Sequence, residues 1–142
     1  MTTSAPSRGE QPPELVAIVD DDASMRGSMD RLIRSLGYRT QVFGSADEFL
    51  ASTAPDRVAC LLLDVRMPGT DGLALQRRLI DRGTRIAIVF MTARATDEEE
   101  RRARAAGAIG FLRKPVGPEA LRHALDRSFD PARSARGDPD VE

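Results

Sequence analysis

Val58 to Gly72 reads VACLLLDVRMPGTDG, and this stretch decides the fold of the 142-residue chain. Its first six residues are uncharged and mostly aliphatic, which is typical of a strand buried on both faces of a parallel sheet. The strand ends at Asp64, and the proline and glycines that follow predict a loop leading into a helix. A carboxylate at the carboxyl end of a central strand lies where open α/β sheets bind ligands. We therefore predict that Asp64 takes part in the chemistry of this protein.

Predicted strands and helices alternate on both sides of this stretch. Further apolar strands are predicted at 15–19, 38–43, 85–91 and 108–112, and a helix is predicted after each of the five strands. This alternation predicts an α/β fold, a flavodoxin-like doubly wound five-stranded parallel sheet (order 2-1-3-4-5) with five helices. The predicted domain covers residues 15–129. Residues 1–14 are expected to be a disordered N-terminal tail, and residues 130–142 a disordered C-terminal tail or linker.

Composition limits the function classes. With 41% hydrophobic residues, 30% charged residues and a net charge of -1, the chain fits one soluble domain. The balanced charge gives no electrostatic reason to expect direct nucleic-acid or membrane binding. Since no apolar run is long enough to span a bilayer and no signal-peptide core is present, we expect a cytoplasmic protein. The single cysteine, Cys60, is predicted to be a core residue.

Polar side chains follow four of the five predicted strands: Asp20 and Asp21, Asp64, Thr92, and Lys114. The carboxyl ends of parallel strands share one edge of the sheet, so the three acids are expected to meet between the first and third strands. Carboxylates at such short distances repel one another unless a cation lies among them. A hard ion with oxygen ligands, most simply Mg²⁺, resolves the repulsion.

Lys114 is the only lysine among 21 basic residues. Genome composition is the simplest explanation for a preference for arginine across the chain. A single lysine in such a chain indicates a position that needs a compact ammonium group. Taken singly, Asp20 and Asp21 could be helix-capping acids and Thr92 a strand-end hydroxyl bonded to the backbone. Together with Asp64, these groups favour transfer of a phosphoryl group to that carboxylate, which gives an acyl phosphate.

Four segments carry a resemblance to a known family: VDDD at 19–22, LLLDVRMPGTDG at 61–72, VFMTA at 89–93 and GFLRKP at 110–115. As a set they resemble the signature of bacterial two-component response regulator receiver domains. The residues of these motifs are similar to those of the FixJ-like group, whose receivers usually precede a helix-turn-helix DNA-binding domain. The resemblance implies a phosphoacceptor signalling protein, not an enzyme, whose only chemistry is self-phosphorylation and autodephosphorylation.

The resemblance also implies roles for individual residues. Asp64 would accept phosphate from a histidine kinase or phosphotransfer protein. Asp21 and Asp64 would bind Mg²⁺ directly, Asp20 would help through water, and the backbone carbonyl of Arg66 would complete the metal site.

The same resemblance implies a switch around the phosphoryl group. Lys114 and Thr92 would contact that group, with Thr92 moving toward it and Phe111 swinging inward at the same time. The Lys114-Pro115 peptide bond would be cis. Arg94, two residues after Thr92, would tune hydrolysis.

Arg66 stands two residues after Asp64 and would likewise tune hydrolysis, although both arginines could equally be solvated surface residues.

Because no DNA-binding domain follows Phe129 in this sequence, we expect a stand-alone, single-domain response regulator. Phosphorylation would shift an equilibrium at the surface of the fourth helix, fifth strand and fifth helix, for a downstream protein effector. Two alternatives to this function stay open: the receiver part of a DNA-binding transcription regulator, and a phosphate sink for a histidine kinase. A second copy of the chain, in a phosphorylation-dependent homodimer, is a further candidate partner.

Overall fold

The computed structural model describes residues 14–129, and these residues form a single sheet covered by helices. The strands are β1 (Leu15–Val19), β2 (Arg39–Phe43), β3 (Cys60–Leu63), β4 (Ala87–Thr92) and β5 (Gly110–Arg113). The helices are α1 (Ala23–Ser35), α2 (Ala46–Ala51), α3 (Gly72–Asp81), α4 (Asp97–Ala105) and α5 (Pro118–Ser128). All neighbouring strands are parallel, in the order β2-β1-β3-β4-β5. The predicted fold class is confirmed. The tails predicted at 1–14 and 130–142 lie outside the described residues, except for Glu14.

β3 is the central strand, and all four of its residues are buried. Its side chains alternate between two hydrophobic clusters, with Leu61 and Leu63 in one and Cys60 and Leu62 in the other. Burial on both faces explains why the strand is a continuous apolar run. Cys60 is a core residue, as predicted, and its Sγ lies 3.3 Å from Ser128 Oγ.

Several element boundaries differ from the predicted ones by one or two residues, and two of them concern the central strand and the helix that follows it. β3 begins at Cys60 and not at Val58, because a single 3-10 turn over Ala54–Asp56 comes first and the Val58 backbone N–H donates to Ala54 O at 3.0 Å. α3 begins at Gly72, whereas the sequence pattern predicts a start at about Leu73. Short 3-10 turns lack the apolar periodicity that makes helices visible in a sequence.

The buried face of α3 also differs from the prediction. The spacing of apolar residues predicts that Leu75, Leu79 and Ile80 are buried, but Ile80 is 44% exposed, whereas Gln76 is buried. The Gln76 side chain donates from Nε2 to the backbone carbonyl of Ala103 in α4 at 3.1 Å. This hydrogen bond satisfies a polar side chain buried between the two helices. Ile80 lies one turn further along the same face of α3 and is open to solvent there.

The loops after the strands lead directly into helices with side-chain caps. Asp22 caps α1, Ser45 caps α2, Asp71 caps α3, and Thr96 caps α4 with a full capping box. These caps satisfy backbone N–H groups that a helix start leaves unpaired. Strand ends and capped helix starts therefore gather at one edge of the sheet. Within residues 14–129, no helix is long and apolar enough to cross a membrane.

Gly72 is a packing constraint at that edge, and its replacement by alanine is expected to destabilise the fold. A Cβ atom at Gly72 would overlap the backbone carbonyl oxygen of Asp64. We expect Gly72→Ala to lower the free energy of unfolding by about 1–3 kcal/mol in urea denaturation.

Gly27→Ala is the matched control, because Gly27 lies inside α1 and the nearest atom to an added Cβ is Arg31 Nη1 at 3.6 Å. This control should gain up to about 1 kcal/mol from helix propensity. Equal effects of the two substitutions would contradict the close approach at Gly72.

Candidate functional site

Three carboxylates meet at the carboxyl edge of the sheet. One oxygen each of Asp20, Asp21 and Asp64 lies within 4.8 Å of the others. The pairing of Val19 with Leu63 in adjacent parallel strands places the residues that follow them side by side. Asp20 is fully buried and Asp64 is 6% exposed, whereas Asp21 faces solvent. The structure thus brings together the three acids selected from the sequence.

Backbone hydrogen bonds orient the two buried carboxylates. Asp20 Oδ1 accepts from the Asp22 backbone N–H at 2.9 Å, and Asp64 Oδ1 accepts from the Arg66 backbone N–H at 3.1 Å. The backbone carbonyl of Asp20 accepts from Arg26 Nη1 at 2.8 Å. One oxygen of each carboxylate is therefore held by its own loop, and Oδ2 of each is directed to other partners.

Lys114 bridges these two remaining oxygens. Its Nζ donates to Asp20 Oδ2 at 2.8 Å and to Asp64 Oδ2 at 2.9 Å, and its side chain is 11% exposed. Its backbone N–H donates to Thr92 O at 2.8 Å, and the following bond to Pro115 is cis, as the family resemblance implied. Burial alone would lower the pKa of Lys114, but the hydrogen bonds and charges of the two carboxylates outweigh burial and raise it.

The charge of the cluster matches a hard cation. Three carboxylates face one ammonium, which leaves an excess of negative charge in a partly buried position. The donor set consists only of carboxylate oxygens, and Asp21 adds an exposed ligand to two buried ones. Oxygen donors of this kind fit Mg²⁺ with water completing its coordination.

Thr92 lies at the same edge, at the end of β4, and is fully buried. Its Oγ1 donates to the Arg94 carbonyl at 2.9 Å and accepts from the Arg94 backbone N–H at 3.3 Å. In this conformation the hydroxyl therefore orders the loop before α4. The Arg94 guanidinium is exposed and has no hydrogen bond or ion pair within residues 14–129.

Phe111 lies on β5, three residues before Lys114, and is 7% exposed. Its ring centroid lies 5.8 Å from that of Phe90, and the Arg113 guanidinium lies 5.5 Å from the Phe111 ring centroid. The ring is already inside the core in this structure, so no inward movement is needed to bury it here.

The Arg66 side chain has a partner that sequence reasoning missed. Arg66 Nη2 donates to Glu99 Oε1, in the first turn of α4, at 2.7 Å. The pattern of threonine followed three residues later by glutamate predicts a capping box at Thr96, and that part was visible in the sequence. The pairing with Arg66 was not, because 33 residues separate the two partners.

Comparisons with known proteins identify the family of this chain. A family model described as the response regulator receiver domain matches residues 16–126. Nodulation protein W of Bradyrhizobium diazoefficiens is 41% identical over 122 residues, which cover 86% of this chain and 54% of that protein. Transcriptional regulatory protein FixJ of the same organism is 32% identical over 120 residues, which cover 84% of this chain and 58% of that protein.

A solved structure is similar along its whole length. Chemotaxis protein CheY4 of Vibrio cholerae superposes with a TM-score of 0.75 at 27% identity, and covers 82% of this chain and 99% of that one. The two curated relatives are longer, and the chain spans just over half the length of each.

Removal of the bridging ammonium is expected to destabilise the protein strongly. Lys114→Ala leaves the buried Asp20 and Asp64 carboxylates facing each other without a counter-ion. We expect a loss of about 3–5 kcal/mol in unfolding free energy at neutral pH, without added divalent cations.

Arg34→Ala is the control, because the Arg34 side chain is 65% exposed in its ion pair with Asp30. This exposed pair should contribute less than about 1 kcal/mol. Similar losses in the two variants would show that Lys114 is not needed to offset the buried charge.

Proposed function

This chain belongs to the response regulator receiver domain family of two-component systems, and on that premise we propose that it is a phosphorylation-controlled switch with Asp64 as the phosphoacceptor. The observation that carries the proposal is the bridge from Lys114 Nζ to Asp20 and Asp64 at the edge of the sheet. Response regulators receive their phosphoryl group from histidine kinases or phosphotransfer proteins. We assign the switch to a domain at residues 15–129.

The transfer reaction uses the Asp64 carboxylate as nucleophile. One carboxylate oxygen attacks the phosphorus atom of a phosphohistidine, the new oxygen–phosphorus bond forms, and the nitrogen–phosphorus bond breaks. The imidazole leaves with the bonding electron pair and is protonated from solvent. Lys114 lies 2.9 Å from Asp64 Oδ2, so its ammonium is already placed to neutralise charge on the transferred phosphoryl oxygens.

Mg²⁺ is the cofactor that we propose for this site. Asp21 and Asp64 would bind it directly, Asp20 through water, and the Arg66 carbonyl would complete the protein ligands. A bound cation supplies positive charge for the phosphoryl oxygens during transfer. The excess negative charge of the acidic cluster supports this assignment.

We propose that the signal reaches the surface formed by α4, β5 and α5. Thr92 would leave the Arg94 backbone to contact the phosphoryl group, and Phe111 would respond through its packing on Phe90. α4 is suited to move because Ala103 is its only buried residue, and the ion pairs that attach it to Arg66 and Arg113 are partly exposed. A protein effector would read the changed surface.

A second candidate function is favoured by the lengths of the relatives. The chain spans 54% of Nodulation protein W and 58% of the transcriptional regulatory protein FixJ. In this alternative the chain is the receiver part of a transcription regulator, and phosphorylation controls a DNA-binding segment. Phosphorylation of Asp64 is common to both candidates.

Phosphorylation at Asp64 can be measured directly. After incubation with acetyl phosphate and Mg²⁺, the intact mass should increase by one phosphoryl group in the wild type and remain unchanged in Asp64→Asn, which lacks the nucleophilic carboxylate. Asp81→Asn, at the far end of α3, is the control and should be labelled like the wild type. A phosphoryl group gained by Asp64→Asn would contradict the assignment. The rate at which the label decays would separate a durable signal from a phosphate sink.

Magnesium binding can be followed through stability. Mg²⁺ roughly 100-fold above its Kd should stabilise the folded wild type by about 2.7 kcal/mol, measured by circular dichroism during thermal unfolding. Asp21→Asn should lose most of this gain, because it removes an exposed ligand without disturbing the core. The control is Asp97→Asn, in the first turn of α4, which should keep the full gain. An unchanged response of Asp21→Asn would remove Asp21 from the ligand set.

A further inference from the structure

We propose that Glu99 is a positioning residue that holds the Arg66 guanidinium away from the phosphoryl group and so shortens the lifetime of phosphorylated Asp64. This inference rests on the proposed function, since it concerns the acyl phosphate formed there. It assigns to a residue of α4 direct control over a side chain of the phosphoacceptor loop. The contacts of the two residues carry the inference.

Glu99 is held in place by hydrogen bonds that do not involve Arg66. Its Oε1 accepts from the Thr96 backbone N–H at 2.9 Å, and its own backbone N–H donates to Thr96 Oγ1 at 3.1 Å. The Glu99 side chain is 18% exposed. A carboxylate held in this way loses little further conformational entropy when it pairs with an arginine, so the pair is stronger than one between two mobile side chains.

Arg66 is attached closely to the phosphoacceptor. Its backbone N–H donates to Asp64 Oδ1 at 3.1 Å, so the backbone of Arg66 is in direct contact with the phosphoacceptor side chain. Its side chain then leads to Glu99, where Nη2 and Oε1 are 2.7 Å apart. The Arg66 side chain is 55% exposed in this position, and its guanidinium is held against α4.

Phosphorylation creates a competitor for the guanidinium. Phosphoryl oxygens and carboxylates both accept hydrogen bonds from arginine, so Arg66 can pair with either one. Lys114, already hydrogen-bonded to Asp64, offsets part of the new negative charge and weakens its attraction for Arg66. Glu99 keeps its partner under these conditions, and the phosphoryl group stays open to water on the side of Arg66.

The lifetime of the acyl phosphate follows from this competition. In autodephosphorylation a water oxygen attacks phosphorus, the bond between phosphorus and the Asp64 oxygen breaks, and the products are inorganic phosphate and the free carboxylate. A guanidinium released from Glu99 would bind the phosphoryl oxygens and obstruct the approach of water. Removal of the Glu99 charge should therefore slow dephosphorylation.

Glu99→Gln is a well-matched test, because glutamine also completes a capping box and the start of α4 is preserved. Glu98→Gln is the control. It removes one negative charge from the same turn, and Glu98 pairs with Arg101 on the exposed side of α4. Each protein is phosphorylated with acetyl phosphate and Mg²⁺, and the loss of the phosphoryl group is followed by intact mass after the donor is removed.

We expect Glu99→Gln to slow dephosphorylation by about threefold, the scale of an exposed ion pair, and Glu98→Gln to leave the rate unchanged. The effect must depend on Arg66. Arg66→Gln and the double variant with Glu99→Gln should therefore decay at the same rate as each other, which a purely structural role of Glu99 in α4 would not produce.

The outcomes separate the two proposals. A wild-type protein that gains no phosphoryl group overturns the proposed function together with this inference. Phosphorylation that succeeds, with Glu99→Gln decaying at or above the wild-type rate, overturns the inference alone. The same holds if Glu99→Gln slows decay equally in the presence and absence of Arg66.

Discussion

The structure depends on the burial of two carboxylates side by side at the end of β1 and β3. Asp20 and Asp64 are withdrawn from water, and such an arrangement costs free energy unless a cation lies between them. Lys114 supplies this cation from the end of β5, while its backbone N–H pairs with Thr92 at the end of β4. One side chain thus links the outermost strand to the centre of the sheet, and the geometry proposed for phosphoryl transfer follows from the same contact.

The fold and the meeting of the acids could be predicted because both follow from local rules. Apolar runs mark the strands, the right-handed crossover rule and the alternation of elements fix the sheet, and parallel strands bring their carboxyl ends to one edge. Asp20 and Asp64 follow paired residues of adjacent strands, so their proximity needs no information about side-chain rotamers. Lys114 was identifiable for a different reason, namely that it is the only lysine in an arginine-rich chain.

The features that could not be predicted from the sequence depend on side-chain packing between segments far apart in the chain. The burial of Gln76 requires an acceptor on α4, the Ala103 carbonyl, that periodicity within α3 cannot reveal. The partner of Arg66 is equally hidden, because the sequence contains many acids and its pattern does not select Glu99 among them. Local patterns therefore predict which residues approach the site, and not which hydrogen bonds they make there.

The attachment of α4 has a consequence for how the protein responds to its solution. Ala103 is the only buried residue of this helix, and ion pairs involving Glu99 and Glu100 hold its first turn to Arg66 and Arg113. Dissolved salt screens exposed charges, with a Debye length of about 8 Å at physiological ionic strength, but barely weakens apolar contacts in the sheet. Ionic strength therefore changes the local stability of α4 separately from that of the core. The salt concentration of the surrounding solution therefore helps to determine how flexible this helix is.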